Sequence, residues 1–133
     1  MTHEIYEGGV YRICKKFEFS AAHHLPLMPD GHKCKRVHGH NYVVSVVIEA
    51  DKLDDVGMVV DFGELKIFKS WLDVTLDHHD LNERLNGIHP TSENLCKHFY
   101  DHLRDRFNVV KVRVSETDGS WAEYVRVDVE VAQ

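Results

Sequence analysis

Alternation of apolar and polar residues in the N-terminal third constrains the fold of this 133-residue chain more than any other feature. Successive side chains of a strand point to opposite faces, so residues two apart share a face. In the first segment the apolar positions on one face are Tyr11, Ile13, Phe17 and Phe19. The second segment, His40 to Ala50, carries apolar residues on both faces. We therefore predict two strands, of which the second is at least partly covered on both sides.

Two segments with helical spacing follow the strands. Asp61 and Glu64 resemble the capping box that opens a helix, and the sequence from Pro90 to Glu93 is typical of a second helix start. Apolar residues three or four apart then line each helix: Leu65, Phe68, Leu72 and Leu76 in the first, and Leu95, Phe99, Leu103 and Phe107 in the second.

Two more alternating segments complete the pattern. Val110 to Val114 forms one, and after a turn at Asp118-Gly119-Ser120 the alternation resumes from Trp121 to Val131. The order is thus strand, strand, helix, helix, strand, strand, which predicts an α+β fold with a mainly antiparallel sheet. We find no repeat, linker or low-complexity stretch, so a single domain over residues 1–133 is expected.

Composition excludes several classes of protein. A net charge of −6 argues against a general nucleic-acid binder, which needs a basic face. No apolar run approaches the ~20 residues of a membrane span. The polar, acidic segment from Met1 to Gly9 does not resemble a signal peptide, which favours the cytoplasm. Three cysteines at unrelated spacings indicate reduced thiols.

Eleven histidines are an unusual excess, and three of them suggest a metal site. His38 and His40 are two apart, so on a strand they point to one face and can converge on one ion. His23, at the end of the first strand, offers a third imidazole. Three imidazoles with one position open are typical of catalytic zinc. The alternative is a pair of surface histidines on an edge strand.

Cys34 allows three interpretations. It could be a fourth metal ligand in a closed Cys-His3 site, a thiolate that acts beside the metal, or a thiol with no chemical role. Its neighbours Lys33, Lys35 and Arg36 would favour the thiolate if they lie close.

Carboxylates supply the remaining candidates. Asp77 next to His78 could orient that imidazole and raise its basicity, although such residues also cap helix ends. Glu116, at the end of the third strand, could accept paired hydrogen bonds from a guanidine-like ring edge, or be an exposed strand-end residue.

Taken together, these residues resemble the signature of the 6-pyruvoyl-tetrahydropterin synthase and 6-carboxy-tetrahydropterin synthase family. The matching segments are Phe19-Ser20-Ala21-Ala22-His23, Cys34 followed by His38-Gly39-His40-Asn41, Val60-Asp61-Phe62, Leu76-Asp77-His78, Pro90-Thr91-Ser92-Glu93-Asn94 and Val114-Ser115-Glu116-Thr117. The resemblance implies the tunnelling fold, a four-stranded antiparallel sheet with two helices on one face. It also implies trimers that close their sheets into a barrel, stacked in pairs as a homohexamer.

The resemblance assigns roles by position. It implies that His23, His38 and His40 hold one zinc ion per chain, that Cys34 is the catalytic base, and that Asp77 and His78 form the relay that activates it. Glu116 resembles the anchor of the pterin ring, sometimes also given a relay role. Thr91, Ser92 and Glu93 resemble the segment that lines the pterin pocket between subunits.

The branch within the family depends on one interval. Only Lys35, Arg36 and Val37 separate Cys34 from His38. This resembles the bacterial carboxy synthases of the queuosine (7-deazaguanine) pathway, whereas the interval is longer in animal-type pyruvoyl synthases.

The implied reaction is the conversion of 7,8-dihydroneopterin triphosphate to 6-carboxytetrahydropterin, acetaldehyde and triphosphate. Lys33, Lys35 and Arg36 are candidates for a basic patch that holds the triphosphate. The alternatives are the pyruvoyl synthase, which eliminates triphosphate without carbon–carbon cleavage, and a non-catalytic structural zinc protein.

Overall fold

A computed structural model describes residues 7–128. The five strands are β1 (Tyr11–His23), β2 (His38–Ala50), β3 (His79–Asp80), β4 (Val109–Thr117) and β5 (Ser120–Val125). The α-helices are α1 (Lys66–Thr75), α2 (Leu81–Arg84) and α3 (Ser92–Leu103), and two short 3-10 helices span Lys33–Lys35 and Phe62–Leu65.

The strands form one sheet in the order β3-β1-β2-β4-β5. Its four long strands are antiparallel neighbours, which confirms the predicted α+β class and the arrangement of those strands. The sheet also contains a strand that the sequence did not indicate, because β3 pairs in parallel with β1 through His79 and Asp80. A two-residue strand is too short to show any alternation. The same holds for the four-residue helix α2, which has no measurable period.

A single apolar core lies between one face of the sheet and the helices. From the sheet, Phe17 and Phe19 of β1 and Val44 of β2 are buried. Phe68 of α1 packs edge-on against Phe17, with ring centroids 5.0 Å apart, and also contacts Phe99 of α3 at 5.7 Å. Each such side chain stabilises the fold by roughly 1.5–3 kcal/mol when fully buried. The predicted apolar stripes of both helices therefore form the core and lie on one face of the sheet.

Both predicted helix starts are capped, though in different ways. The Thr91 hydroxyl accepts from the Asn94 backbone N–H at 3.2 Å and caps α3. The Asp61 carboxylate accepts from the Gly63 backbone N–H at 2.8 Å, but the turn that it caps is the 3-10 helix Phe62–Leu65, and α1 begins only at Lys66. The chain therefore tightens for one turn before it becomes α-helical.

The last predicted strand is shorter than expected. β5 ends at Val125, and Val127 is exposed beyond it, while Val129 and Val131 lie outside the described residues. Ala122 and Tyr124 pack against the core, so Trp121 and Val125 project from the opposite face of the sheet.

That opposite face carries no helix in the described part of the chain. On β2, Ser45 is nevertheless buried there, and Val43 and Val47 are half-buried, so this strand is at least partly covered on both sides, as predicted. The three cysteines are free, with Cys96 buried in α3, Cys34 half-buried and Cys14 exposed. No helix within residues 7–128 has both the length and the apolar character to cross a membrane.

Candidate metal centre

Strand pairing brings the three predicted histidines together. His23 lies opposite His38 in the β1–β2 register, and His40 is two residues further along β2, so all three side chains share the core face. One nitrogen from each ring lies within 4.8 Å of the others, and the ring centroids are 4.5, 4.9 and 5.1 Å apart. Among the described residues this is the one cluster of histidine, cysteine or acidic side chains with the spacing of a metal site.

Backbone carbonyls fix the orientation of two of these rings. His23 Nδ1 donates to the Pro90 carbonyl oxygen at 2.8 Å, and His38 Nδ1 donates to the Arg36 carbonyl oxygen at 2.7 Å. Because a carbonyl oxygen can only accept, the proton of each neutral ring is on Nδ1 and the Nε2 lone pair is free. Carbonyl-oriented imidazoles of this kind are typical of metal ligands.

The free ring nitrogens fit a metal ion. His23 Nε2 and His40 Nε2 are buried and have no hydrogen-bond partner within residues 7–128, which is costly unless another group binds them. Burial lowers the pKa of His23, so its ring is neutral near pH 7 and can ligate. Three imidazoles suit zinc and related divalent metals.

Cys34 is not part of this cluster. It lies in the 3-10 helix Lys33–Lys35, where its backbone is held by His32 Nδ1, which accepts from Cys34 N–H at 3.1 Å, and by the N–H of Leu25, which donates to its carbonyl at 2.8 Å. The half-buried thiol makes no hydrogen bond to any described residue, Asp77 and His78 included. The donor set is therefore three histidines with one position open, and the closed Cys-His3 alternative is not supported.

The basic residues around Cys34 differ in their contacts. Lys35 forms an ion pair with Asp30. Lys33 and Arg36 have no ion pair with any residue that the structure describes. The carbonyl oxygen of Arg36 accepts the hydrogen bond from His38 Nδ1. The backbone of Arg36 thus lies beside the histidine cluster.

The side chains of Asp77 and His78, just after the end of α1, are hydrogen-bonded to each other. His78 Nδ1 lies 2.9 Å from Asp77 Oδ2, and the other carboxylate oxygen accepts from the Ser20 backbone N–H at 2.8 Å. The Ser20 contact and then the His78 bond hold the pKa of Asp77 below its usual range. The His78 side chain is 82% exposed.

The backbone at His78 is strained. Its φ of 60° is rare for a residue other than glycine and is maintained by a hydrogen bond of 2.6 Å from its N–H to the Ser20 carbonyl. Such strain is concentrated at functional sites. His78 and His40 both line an open cavity of about 560 Å³, whose lining includes neither Cys34 nor Glu116.

Glu116, near the end of β4, joins the metal centre to α3. Its Oε1 accepts from the Ser92 hydroxyl at 3.0 Å, and its Oε2 lies 3.5 Å from His40 Nε2, which is too long for a hydrogen bond. The structure therefore brings Ser92 and Glu116 to the histidines. Thr91 serves as the cap of α3, and Glu93 is exposed in its first turn.

Sequence reasoning missed Tyr42. It is 0% exposed, stacks on Phe19 at 4.8 Å, and has its ring centroid 5.8 Å from that of His23 and 5.5 Å from that of His40. Burial, and next the charge of Glu116, raise the pKa of its phenol. Its position two residues after His40 on the same strand face was the available signal. The carbonyls of Pro90 and Arg36 carry no such signal, because every residue has one.

Fold and site together define a small α+β protein with an open cluster of three histidines that could hold a metal ion, where its first two strands meet. A sequence model described as 6-pyruvoyl tetrahydropterin synthase matches residues 12–127. The chain therefore belongs to the 6-pyruvoyl tetrahydropterin synthase family, as its motifs predicted.

Individual relatives agree with this membership. A Bacillus subtilis protein named 6-carboxy-5,6,7,8-tetrahydropterin synthase is 36% identical over 124 residues, or 86% of this chain and 84% of the relative. An Archaeoglobus fulgidus protein to which the same name is provisionally given is 44% identical over 110 residues, or 81% of this chain and 90% of the relative. The solved structure of Caenorhabditis elegans 6-pyruvoyl tetrahydropterin synthase superposes with a TM-score of 0.79 at 26% identity, covering 92% and 100%. The fold is thus that of the family, and the chain is similar to enzymes of tetrahydropterin synthesis.

Proposed function

We propose that this chain is a zinc-dependent 6-carboxy-5,6,7,8-tetrahydropterin synthase that acts in the cytoplasm in queuosine (7-deazaguanine) biosynthesis. Its substrate would be 7,8-dihydroneopterin triphosphate, and its products 6-carboxytetrahydropterin, acetaldehyde and triphosphate. The observation that carries the proposal is the cluster of three imidazoles, two of them oriented by backbone carbonyls, because it leaves a coordination position for substrate. The names of the bacterial and archaeal relatives support the carboxy branch.

Zinc held by His23, His38 and His40 would supply Lewis-acid polarisation of the substrate's side-chain oxygens. The residues around it would move the protons. Cys34 as thiolate would remove and return protons at the side-chain carbons, with Lys33 and Arg36 nearby to stabilise its charge. Triphosphate loss and carbon–carbon cleavage would follow from the carbonyl compounds that these transfers produce.

The relay is not assembled within one chain, since Cys34 has no hydrogen bond to the Asp77–His78 pair. The exposed His78 ring, oriented by Asp77, is instead available to a second copy of the chain. We infer that Cys34 of one subunit meets Asp77 and His78 of another in the homohexamer. The helix-free face of the sheet, where the side chains of Trp121 and Val125 are exposed, supports assembly through that face.

Glu116 would bind the amino-pyrimidine edge of the pterin. Its carboxylate is oriented by Ser92 on Oε1 and lies beside His40, so it would place the ring next to the metal. Thr91 would position this segment as the cap of α3, and Glu93 would reach the substrate from its exposed position in the first helical turn. The single core of the described residues supports one domain over residues 1–133.

Product identification tests the proposal. The zinc-loaded protein is incubated with 7,8-dihydroneopterin triphosphate, and pterins, triphosphate and aldehydes are measured. Acetaldehyde together with 6-carboxytetrahydropterin is the expected result. Triphosphate without acetaldehyde would favour a 6-pyruvoyl synthase, the alternative that the likeness to the Caenorhabditis elegans structure keeps open. A Cys34→Ala variant is the matched control, and release of neither product by the unaltered protein would contradict both functions.

A further inference from the structure

A cavity between the middle of β1 and the start of α1 is lined mainly by lysines. Its volume is about 540 Å³, which is the size of a small-ligand site. The lysines are Lys15 and Lys16 of β1 and Lys66 and Lys69 of α1. We call it the lysine cavity. None of its lining residues belongs to the histidine cluster or lines the cavity beside that cluster, so the two places are separate.

Most of these ammonium groups are not neutralised within the described part of the chain. Three of the four are exposed and form no ion pair with any residue from 7 to 128: Lys15, Lys16 and Lys66. The fourth is held in place, since Lys69 Nζ lies 2.7 Å from Asp73 Oδ1 and donates to the Glu18 carbonyl oxygen at 3.0 Å. Glu18 is the one acidic residue in the lining. The lining therefore has a surplus of positive charge.

This surplus has the opposite sign to the charge of the whole chain, which is −6. Like charges around one cleft repel each other, and such a cleft concentrates ions of the opposite sign. A lysine ammonium is a compact charge with three N–H donors, which suits phosphate oxygens. A chain of linked phosphates can contact lysines on both β1 and α1 and balance several of them at once, which a single phosphate does less well.

The lysine cavity also has an apolar wall. Phe62 lines it and is 48% exposed, although most large apolar side chains of the neighbouring helix are buried. Flat rings of nucleotides stack on exposed aromatic side chains of this kind. A ligand with both phosphates and a ring could thus use the lysines and Phe62 together.

We propose that the lysine cavity is a binding site for an oligophosphate, whose oxygens accept hydrogen bonds from Lys15, Lys16 and Lys66. Lys69, held by Asp73, adds a fixed positive charge. The ligand is either a free oligophosphate, such as inorganic triphosphate, or the phosphate chain of a nucleotide, because the lysines recognise the same chemistry in both. This site goes beyond the proposed function and does not depend on it.

Calorimetric titration of inorganic triphosphate into the zinc-loaded full chain tests the site. The double variant Lys15→Gln/Lys66→Gln removes two charges but keeps long polar side chains, and it should bind at least about tenfold more weakly. Lys15→Arg/Lys66→Arg keeps both charges and should retain the affinity. Lys52→Gln is the matched control, because Lys52 is an exposed lysine just after β2 and outside the cavity, so its loss should change nothing.

A second titration, with ATP, identifies the source of the phosphates. ATP that binds more tightly than inorganic triphosphate, and loses this advantage in Phe62→Ala, would support a nucleotide site. Tighter binding of inorganic triphosphate would support a site for the free anion.

Three results would overturn the inference. Neither anion binds; or Lys52→Gln weakens binding as much as the double variant does, which would indicate general attraction to surface lysines; or only Lys33→Gln weakens it, which would place the anion near Cys34. Each would leave the proposed function intact, since the lysine cavity shares no residue with the metal centre.

Discussion

Replacing Glu116 by Gln tests how the site holds a pterin. The amide keeps an acceptor for Ser92 but presents an N–H group where Oε2 now lies, toward a ring edge that offers donors. Losing a hydrogen bond to a charged group costs about 1.5–3 kcal/mol. Since the Glu116 side chain is 30% exposed, solvent screens part of this, and we expect the lower part of the range. About 1.5–2 kcal/mol corresponds to a roughly 10- to 30-fold weaker pterin affinity.

Calorimetric titration of sepiapterin or biopterin into the zinc-loaded proteins measures this loss. Zinc content should be unchanged, because Glu116 does not belong to the histidine cluster. Glu64→Gln provides a matched control, since Glu64 is exposed in the 3-10 helix that precedes α1. Equal affinities for the unaltered protein and Glu116→Gln would refute the role of Glu116 as the ring anchor.

Three further predictions concern the metal, the thiol and the pH dependence of stability. His38→Ala and His40→Ala should each lose zinc and activity together, because the two remaining imidazoles hold the ion weakly. If elemental analysis found one zinc per chain in either variant, the proposed ligand set would be wrong. Cys34→Ala should keep zinc and fold while turnover is lost, and loss of metal would instead indicate a sulfur ligand. Burial lowers the pKa of His98, so its neutral form is favoured in the folded state and stability should fall as the pH drops below about 6.5, the pKa in the unfolded chain. The free energy of unfolding of the metal-free protein, measured by denaturation between about pH 8 and about pH 5, should fall less steeply in His98→Asn than in the unaltered protein. An unchanged slope would contradict this role of His98.

Most of the fold could be predicted because its elements carry strong periods. The long strands and both main helices have apolar residues on one face, and burial of those faces in one core is what the pattern reflects. Strand β3 and helix α2 could not be predicted in this way. They depend on where the chain returns after α1, and hydrogen bonds between Ser20 and the Asp77–His78 segment fix that return.

The site residues were predicted more completely than the contacts among them. Two-residue spacing placed His38 and His40 on one face, and the β1–β2 register in the structure brings the third predicted histidine, His23, opposite His38. The separation of Cys34 from His78 could not be anticipated, because no local pattern reports which loops approach each other.

The sequence alone determined the family, the order of the long elements and the three candidate ligands, because strand alternation and motif order are local properties of the chain. Only the tertiary structure decided which ring nitrogens are free, since that depends on the carbonyls of Pro90 and Arg36. It also decided that Cys34 lies outside the ligand cluster and that the Tyr42 hydroxyl is buried with no hydrogen-bond partner among residues 7–128. The contact between His23 and Pro90 joins distant segments, and it exists only once the sheet and the segment before α3 have packed together.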